Sequence, residues 1–421
     1  MKRVLINVLL CSCLLPRGPF LLHAANVVTD WNTIASTTIV ANGGKASVAS
    51  GVWFAYTFIA VYDAVNAVER MYQPFYFNGV APAGASEEAA AVAAAHRVLV
   101  NYFPMQQADL DAAFTKSLNA ITAPQQAKTD GVSIGEAAAG RLISARNGDG
   151  LEADVPYTPG SGPGVWQPTP PGFLAALTPW LGQMRPFTMH GADEFLPDGP
   201  TPLNSERWVS EYNETRMFGD MNSTVRTAAQ TEIGLFWAVH TGQQYSRAFG
   251  YLADNYQLNV MDSARLLAIL WTGYADTGIA CWNAKFIYNF WRPVTAIRAG
   301  GANSELAVDG GWSSSATTPN HPEYPAAHGC VTGVSSSLVE AFFRTRKVHV
   351  VVDNTTTFSD GVHTHTFDNT GDWFEEVYWA RILGGLHFHH SLEDGRTLGQ
   401  QVAAQVFQNH FRRRRSQGEA P

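Results

Sequence analysis

The chain is poor in charged residues. Only 15% of its 421 residues carry a charge, whereas 46% are hydrophobic, and a chain of this length can bury a large core as one big domain or two closely packed domains. The net charge of −8 disfavours nucleic acid and anionic membrane surfaces as partners. Small anions remain plausible ligands, because an acidic protein can contain a local cationic site.

Cysteine is scarce, with four residues in the whole chain. Two of them fall in the N-terminal leader, which leaves Cys281 and Cys330. Each lies beside a cationic motif described below, so a disulfide between them and two buried free thiols are both compatible with the sequence. No pattern supports catalysis by a thiol.

Long apolar runs are also missing after the N-terminus, so we expect no integral membrane association. Residues 1–25 are predicted to be a signal peptide, with basic residues at the start, an apolar stretch Val4–Leu15 and small residues Ala24–Ala25. We therefore expect export to the periplasm or the extracellular space. A lipoprotein cleavage box around Leu10–Cys13 is the weaker alternative.

Helical periodicity dominates the remaining chain, and strand signals are few. The pattern predicts an all-α fold, a multi-helix bundle. In the long segment that reaches Lys285, Asp262 is the predicted N-cap. The predicted helices are 52–68, 87–102, 107–121, 128–144, 223–239, 241–253 and 262–290.

The same pattern suggests an organisation in regions. Residues 26–220 are predicted to form a helical supporting region, and residues 221–411 a catalytic helical bundle. Dense glycine and proline in 147–204 indicate a long ordered loop that packs over the helices and can shape the entrance of a site. The basic residues of 412–421 are predicted to be a solvated tail.

Three cationic motifs in the C-terminal half carry the chemistry. They are Lys285-x6-Arg292-Pro293, then Tyr324-Pro325-Ala326-Ala327-His328-Gly329, then Arg381-x5-His387. Lys285 and Arg292 are about two helical turns apart, which on one helix would place them on one face. Pro293 would end that helix, and Pro325 would lie in the first turn of the next helix. Together the motifs predict a site for a tetrahedral oxyanion.

The order K-x6-R-P, P-x-x-H, R-x5-H resembles the three-part signature of vanadium-dependent haloperoxidases and type 2 phosphatidic acid phosphatases. Softer similarity to soluble bacterial haloperoxidase homologues extends over Tyr62–Ala67 and Val165–Pro171.

The resemblance implies that Lys285, Arg292, Arg381 and the Ala327 amide bind the oxygens of vanadate, and phosphate can occupy the same site. His387 would be the covalent partner of vanadium or phosphorus, and His328 the acid or base. This sequence has Ala326 where the family usually has serine. One hydrogen bond to the anion is then missing, which weakens the site without abolishing it.

One pocket of this kind supports two reactions. A haloperoxidase uses hydrogen peroxide, a halide and a small organic acceptor, whereas an acid phosphatase hydrolyses a phosphoester through a phosphohistidine at His387. Trp282 and His321 resemble the halide environment of the haloperoxidases and favour that reading, with bromide ahead of chloride. A catalytically silent oxyanion-binding protein is the alternative of another class. The sequence leaves the oligomeric state open.

Two further sets of residues are weaker candidates. Val362–Phe367 alternates like a short strand and places His363 and His365 on one face, but no cysteine or carboxylate at ligand spacing accompanies them, so a zinc site is disfavoured. Asp276 lies nine residues before Lys285, and we predict that it pairs with a cation of the site.

Overall fold

A computed structural model describes residues 26–354 and 358–414. The signal peptide predicted for residues 1–25 lies outside the described residues. The described part of the chain confirms the all-α prediction, with a single hairpin of two short strands. Its helices are α1 (Val27–Ser36), α2 (Ser50–Glu69), α3 (Glu87–Tyr102), α4 (Gln107–Ala120), α5 (Gln125–Arg146), α6 (Glu206–Phe218), α7 (Ala228–Phe236), α8 (Thr241–Asn255), α9 (Val260–Tyr288), α10 (Pro293–Arg298), α11 (Ala327–Phe343), α12 (Thr370–Leu383) and α13 (His389–Asn409).

The hairpin joins β1 (Val350–Asn354) to β2 (His363–Phe367). The two strands are antiparallel, and Val352 is opposite His365. The alternation of Val362–Phe367 had indicated the second strand. The first strand has its own alternation of buried and half-buried residues, but it is too short to be distinguished by periodicity from the end of a helix.

Helices α2 and α9 form the centre of the molecule. Nearly every residue of α2 is buried, and most of α9 is buried over its 29 residues. Both helices contribute to one hydrophobic cluster that runs from the N-terminal helices to α13. Because α9 spans this cluster and ends beside the cationic motifs, the core fixes the position of Lys285.

Helix α2 corrects one expectation. By length and composition alone, Ser50–Glu69 is apolar enough to cross a membrane, although no such segment was expected after the N-terminus. In the folded chain, however, 94% of its most apolar window is buried within the protein. A helix that is apolar on all sides is also what the centre of a large core requires.

Helices α11 and α13 approach each other closely, which places His328 near the third motif. A methyl group at Gly395 would lie 2.8 Å from the Ala326 carbonyl oxygen, and one at Gly329 would lie 2.8 Å from the Leu392 carbonyl oxygen. Only glycine fits these two positions without a shift of the backbone. The crossing therefore brings the start of α11 against the start of α13.

Several predicted helix ends need correction. Asn259, and not Asp262, caps α9, because its side chain accepts from the Asp262 amide. Pro325 lies before the N-cap of α11 and not in its first turn. The helix predicted for 223–239 is shorter, since Thr227 forms a capping box with Gln230.

The basic segment at the C-terminus is described as far as Arg414. Arg413 pairs with Tyr72 through a backbone bridge. Arg414 Nε donates to the Tyr72 carbonyl at 2.7 Å. These first residues of the predicted solvated tail thus bind the segment that follows α2.

Candidate functional site

The first motif reaches the site by a different route from the predicted one. Helix α9 ends at Tyr288 because Asn289 adopts a left-handed conformation with φ 48°. Arg292 is then the N-cap of α10, and Pro293 begins that helix instead of ending α9. The prediction that Lys285 and Arg292 share one helix face is wrong. A turn between two helices brings them together.

Lys285 is fully buried and uses all its donors on the backbone. Its Nζ donates to the carbonyls of Pro322 at 2.8 Å, Glu323 at 2.9 Å and Pro325 at 2.6 Å. An ammonium group has three donors, so Lys285 organises the chain before α11. Burial and the nearby Arg292 lower the pKa of Lys285 to about 8.

Arg292 is buried between the second and third motifs. Its Nε donates to the His321 carbonyl at 2.9 Å, and NH1 donates to the Leu386 carbonyl at 3.0 Å. NH1 also lies 3.1 Å from His387 Nε2. Burial lowers the pKa of Arg292 to about 10, which leaves the guanidinium charged at neutral pH.

Arg381 is the least occupied of the three cations. It lies in the last turn of α12, is buried, and has one hydrogen bond to the Trp237 carbonyl, from NH1 at 3.0 Å. Its Nε is buried and has no hydrogen-bond partner in the described chain. Burial and the nearby Arg292 lower its pKa to about 9. Arg381 thus has donors left for an anion.

The two predicted catalytic histidines border the same cavity as Arg381. This cavity of about 120 Å³ is lined by residues of the second and third motifs, including His328, His387 and Ala327, and by Trp282, which precedes the first motif. Burial, with the surrounding cations, holds the pKa values of His328 and His387 well below the usual range. Both rings are therefore neutral near neutral pH. His328 Nε2 is buried without a partner among the described residues.

Glu323 is the residue of the site that the sequence analysis missed. Its Oε1 lies 2.8 Å from His387 Nδ1 and accepts from the Phe388 amide at 3.1 Å. Its own amide donates to the Phe290 carbonyl at 2.8 Å. It thus lies directly before the second motif and contacts the third, and its amide holds the turn between Lys285 and Arg292. A signal existed, because Glu323 is the only Asp, Glu, Lys or Arg between Gly310 and Val339.

The contact with Glu323 sets the proton on His387. An ionised carboxylate only accepts hydrogen bonds, so Nδ1 carries the proton and Nε2 presents its lone pair. Burial raises the pKa of Glu323, while His390 and the cations Lys285 and Arg292 oppose this shift. The lone pair of Nε2 now accepts from Arg292. It is the atom that would bond to the centre of an oxyanion.

Trp282 and His321 form one wall of the cavity. Their ring centroids are 4.9 Å apart, at an interplanar angle of 44°. Burial and the nearby Arg292 keep the pKa of His321 well below its usual range, so the ring is neutral. An NH2 nitrogen of Arg292 lies 3.0 Å from His321 Nδ1. The wall is thus aromatic and uncharged.

The Gly/Pro-rich segment 147–204 closes another side of the cavity. Leu177 and Thr178 line the cavity. The Leu177 amide donates to the Asn320 carbonyl at 2.8 Å, and Trp282 Nε1 donates to the Leu177 carbonyl at 3.2 Å. These bonds attach the segment to residues that precede the first and second motifs.

Asp276 does not pair with a cation of the site, so that prediction is wrong. Its carboxylate is buried and accepts from the amides of Phe187 at 2.6 Å and Thr188 at 2.8 Å. Burial raises the pKa of Asp276 to about 6. Its function in the structure is to anchor the segment 147–204 on α9.

Cys281 and Cys330 are both buried and free. Their side chains hydrogen-bond to each other, and Cys281 Sγ lies 3.7 Å from the Pro325 carbonyl oxygen. Of the two states that the sequence allowed, the structure has two thiols.

The residues fit a tetrahedral oxyanion. Two buried nitrogens, Arg381 Nε and His328 Nε2, have no partner in the described chain. The site has three buried cations, Lys285, Arg292 and Arg381, and one buried carboxylate, Glu323, an excess of positive charge that a bound anion would balance. The first turn of α11 has no side-chain cap at Ala326, and its residues Ala327 and His328 line the cavity, so its amides are available to an anion there.

Comparison with known proteins agrees with this site. Residues 265–416 match the family model of the VCPO second helical-bundle domain. Vanadium chloroperoxidase of Curvularia inaequalis is 26% identical over 225 residues, which cover 46% of this chain and 36% of that protein. The match thus spans about a third of the length of that relative. Both matches support the superfamily of vanadium-dependent haloperoxidases that the three motifs had indicated.

Solved structures share the fold of this chain. The first bacterial vanadium-dependent iodoperoxidase aligns with a TM-score of 0.78 and 21% identity, over 92% of this chain and 96% of that chain. A holo-type bacterial vanadium-dependent chloroperoxidase aligns with a TM-score of 0.72 and 16% identity, over 90% and 95% of the two chains. The likeness therefore extends well beyond the segment that carries the three motifs.

Proposed function

We propose that this protein is a vanadate-dependent haloperoxidase, which oxidises a halide with hydrogen peroxide. The observation that carries the proposal is the state of His387. Its Nδ1 is held 2.8 Å from Glu323, so its Nε2 carries the lone pair that would bond to an oxyanion centre in place of its contact with Arg292. Arg381, which lines the same cavity, has a free donor for the oxygens of the anion. The relatives whose printed names state an activity are chloroperoxidases and an iodoperoxidase, which supports this choice.

Each residue of the site would have its own role in holding vanadate. Arg381 and Arg292 would hold oxygens of vanadate, the Ala327 amide would donate to a further oxygen, and His387 Nε2 would hold the vanadium. Lys285 would contribute charge, since its donors hold the backbone before α11. Bound vanadate would supply a Lewis-acid centre that activates hydrogen peroxide toward attack by a halide.

His328 would move the proton. The ring lines the cavity, its Nε2 has no partner among the described residues, and its pKa is well below the usual range because of burial and the nearby Arg381. A neutral imidazole can take a proton from hydrogen peroxide, and the imidazolium that results is a strong acid beside a guanidinium. His328 would therefore return the proton readily.

Bromide is the proposed halide. The wall of Trp282 and neutral His321 offers polarisable surface without a negative charge, which suits a large and weakly hydrated anion. The small cavity, about 120 Å³, suits a halide and hydrogen peroxide, and leaves the organic acceptor to react nearer the entrance. Competition among iodide, bromide and chloride in one assay would rank them.

A paired assay tests the activity. Purified protein loaded with vanadate would be assayed for peroxide- and bromide-dependent bromination of a phenol dye, and protein without vanadate for hydrolysis of a phosphate ester. His387→Ala is the control. We expect bromination that requires vanadate and that the variant loses. Hydrolysis inhibited by vanadate would support the phosphatase instead, and anion binding without either reaction would support the silent binder.

The export signal predicted for residues 1–25 completes the proposal, because an exported enzyme meets halide and peroxide outside the cell. Cell fractionation of the full chain, followed by N-terminal sequencing of the mature protein, would test it. Retention of the intact N-terminus in the cytoplasm would contradict export.

A further inference from the structure

Trp237 lies behind the anion site, where it contacts both residues whose nitrogens lack a partner. Its carbonyl accepts from Arg381 NH1 at 3.0 Å and also forms a hydrogen bond with the His328 ring. A carbonyl oxygen only accepts, so it favours a proton on the ring nitrogen that faces it. The position of this one carbonyl thus orients both side chains.

Arg381 depends strongly on this contact. The charged residue that shifts its pKa is another cation, Arg292, and no carboxylate of the described chain forms an ion pair with it. A buried guanidinium usually gains its orientation from such a carboxylate. Here the Trp237 carbonyl, at the C-terminal end of α7, orients the guanidinium in place of a carboxylate.

The side chain of Trp237 is anchored on the opposite side. It is fully buried, and its Nε1 donates to Glu376 Oε1 at 2.9 Å. Glu376 lies on α12, five residues before Arg381. Trp237 therefore binds α12 at two points, through its indole at Glu376 and through its carbonyl at Arg381.

Glu376 is itself held by the hairpin. His365 Nδ1 lies 2.6 Å from Glu376 Oε1, and His365 Nε2 lies 3.1 Å from Glu232 Oε1 on α7. The His365 ring also stacks on Phe236, the neighbour of Trp237, with 3.7 Å between centroids and 5° between planes. The carboxylates that the sequence did not place near His365 thus come from two other helices.

We propose that Trp237 is a positioning residue of the anion site, because Glu376 fixes its indole and the indole fixes the carbonyl that orients Arg381 and His328. Neither Trp237 nor Glu376 lines the cavity, so their effect would pass through those two residues. The part of this inference that concerns turnover rests on the proposed function. The part that concerns anion binding does not.

Two matched variants test the proposal. Trp237→Phe removes the indole donor and keeps an aromatic ring. Trp379→Phe is its control, since Trp379 lies on α12 beside Glu375, is exposed, and donates from Nε1 to Glu375 Oε1 at 3.0 Å. We expect Trp237→Phe to raise the dissociation constants of vanadate and of inorganic phosphate about 3- to 10-fold, while Trp379→Phe leaves both unchanged.

Turnover gives a second readout that a purely structural residue would not move. In Trp237→Phe we expect kcat to fall and the acidic limb of the pH profile to shift, with little change in the KM for bromide, because His328 loses its orientation and the halide wall is untouched. If the wild-type protein shows no turnover at all, the proposed function fails, and the anion dissociation constants still decide whether Trp237 positions the site.

A second pair of variants keeps the test valid if Trp237→Phe does not fold. Glu376→Gln retains an acceptor for the indole, whereas Glu376→Ala removes it. We expect Glu376→Ala to weaken anion binding as Trp237→Phe does, and Glu376→Gln to restore it to near the wild-type value. Equal anion affinity in Glu376→Ala and the wild type would overturn the proposal, and so would equal losses in the Ala and Gln variants.

Discussion

Glu323 Oε1 lies 2.8 Å from His387 Nδ1, and both side chains are buried. A carboxylate that binds the far nitrogen of a metal-ligating histidine fixes its tautomer and raises its basicity. The same relationship here leaves the lone pair of His387 on Nε2, where it can bond to the central atom of an oxyanion.

Replacement of Glu323 by Gln should therefore weaken the site. The amide can present either its oxygen or its NH₂ group to Nδ1, so the tautomer is no longer fixed, and a loss on the order of 10- to 100-fold in vanadate affinity is expected. Isothermal titration with vanadate would measure it.

Glu211→Gln is the matched control for this change. Glu211 and His390 form another buried pair between a carboxylate and a histidine Nδ1, but neither residue lines the cavity. We expect Glu211→Gln to change the thermal stability and not the vanadate affinity. Equal losses of affinity in both variants would show that Glu323 acts only on the fold.

Anion affinity should fall as the pH rises above about 8. The anion binds the charged form of Lys285, whose pKa burial lowers to about 8 in the free protein. The contribution of the Lys285 charge to anion affinity is thus complete below that pH and is lost above it. The affinity falls by up to about tenfold per pH unit. Phosphate titrations between pH 6.5 and 9.5 would follow it. Lys285→Met, which has no charge at any pH, should bind weakly throughout and lack the part of the decline that Lys285 causes.

His328→Ala should separate turnover from binding. Loss of an acid or base typically lowers the rate by about 10²- to 10⁴-fold, whereas the cations that hold the anion remain. Bromination kinetics and vanadate titration of the same sample would give both values. His389→Ala is a suitable control, because His389 pairs with Glu214 and Tyr378 away from the cavity. Undiminished turnover in His328→Ala would contradict the assigned proton transfer.

Ala326→Ser should strengthen the site. Ala326 is the N-cap of α11 and forms no side-chain cap, and a serine hydroxyl there can accept from a first-turn amide or donate to a bound anion. We expect about 1 kcal/mol of added stability without the anion. When the anion is present, a hydrogen bond from the added hydroxyl should make vanadate binding about tenfold tighter. Thermal unfolding with and without vanadate would measure both effects, and unchanged values in both would show that the buried hydroxyl finds no partner.

Asp276→Asn should release the segment 147–204 from α9. An amide in place of the carboxylate turns an NH₂ group toward the Phe187 or Thr188 amide, and leaving one buried donor unsatisfied costs about 1–3 kcal/mol. Urea unfolding would report the cost, and limited proteolysis would report cleavage within 147–204. The exposed Asp154→Asn should change neither, and an unaltered stability of Asp276→Asn would mean that other contacts hold the segment.

The sequence determined the fold class and the residue types of the site. Helical periodicity identified α3 with its bounds and identified α2, α5 and α8 to within a few residues, because each buries a long apolar face. It missed α1, α6, α10, α12 and α13, which are short or rich in polar residues. The five spaced side chains of the motifs also indicated the superfamily. Their order along the chain does not depend on how the helices between them are arranged.

Only the tertiary structure decided how those side chains are used. Lys285 directs its donors at carbonyls, Arg381 keeps its Nε unpartnered, and Asp276 faces the segment 147–204 instead of a cation. Spacing along a chain fixes which residues share a helix face, but not which backbone groups of distant segments reach them. The sequence therefore did not indicate how Glu323 and Trp237 act, because each acts through contacts between segments far apart in the sequence.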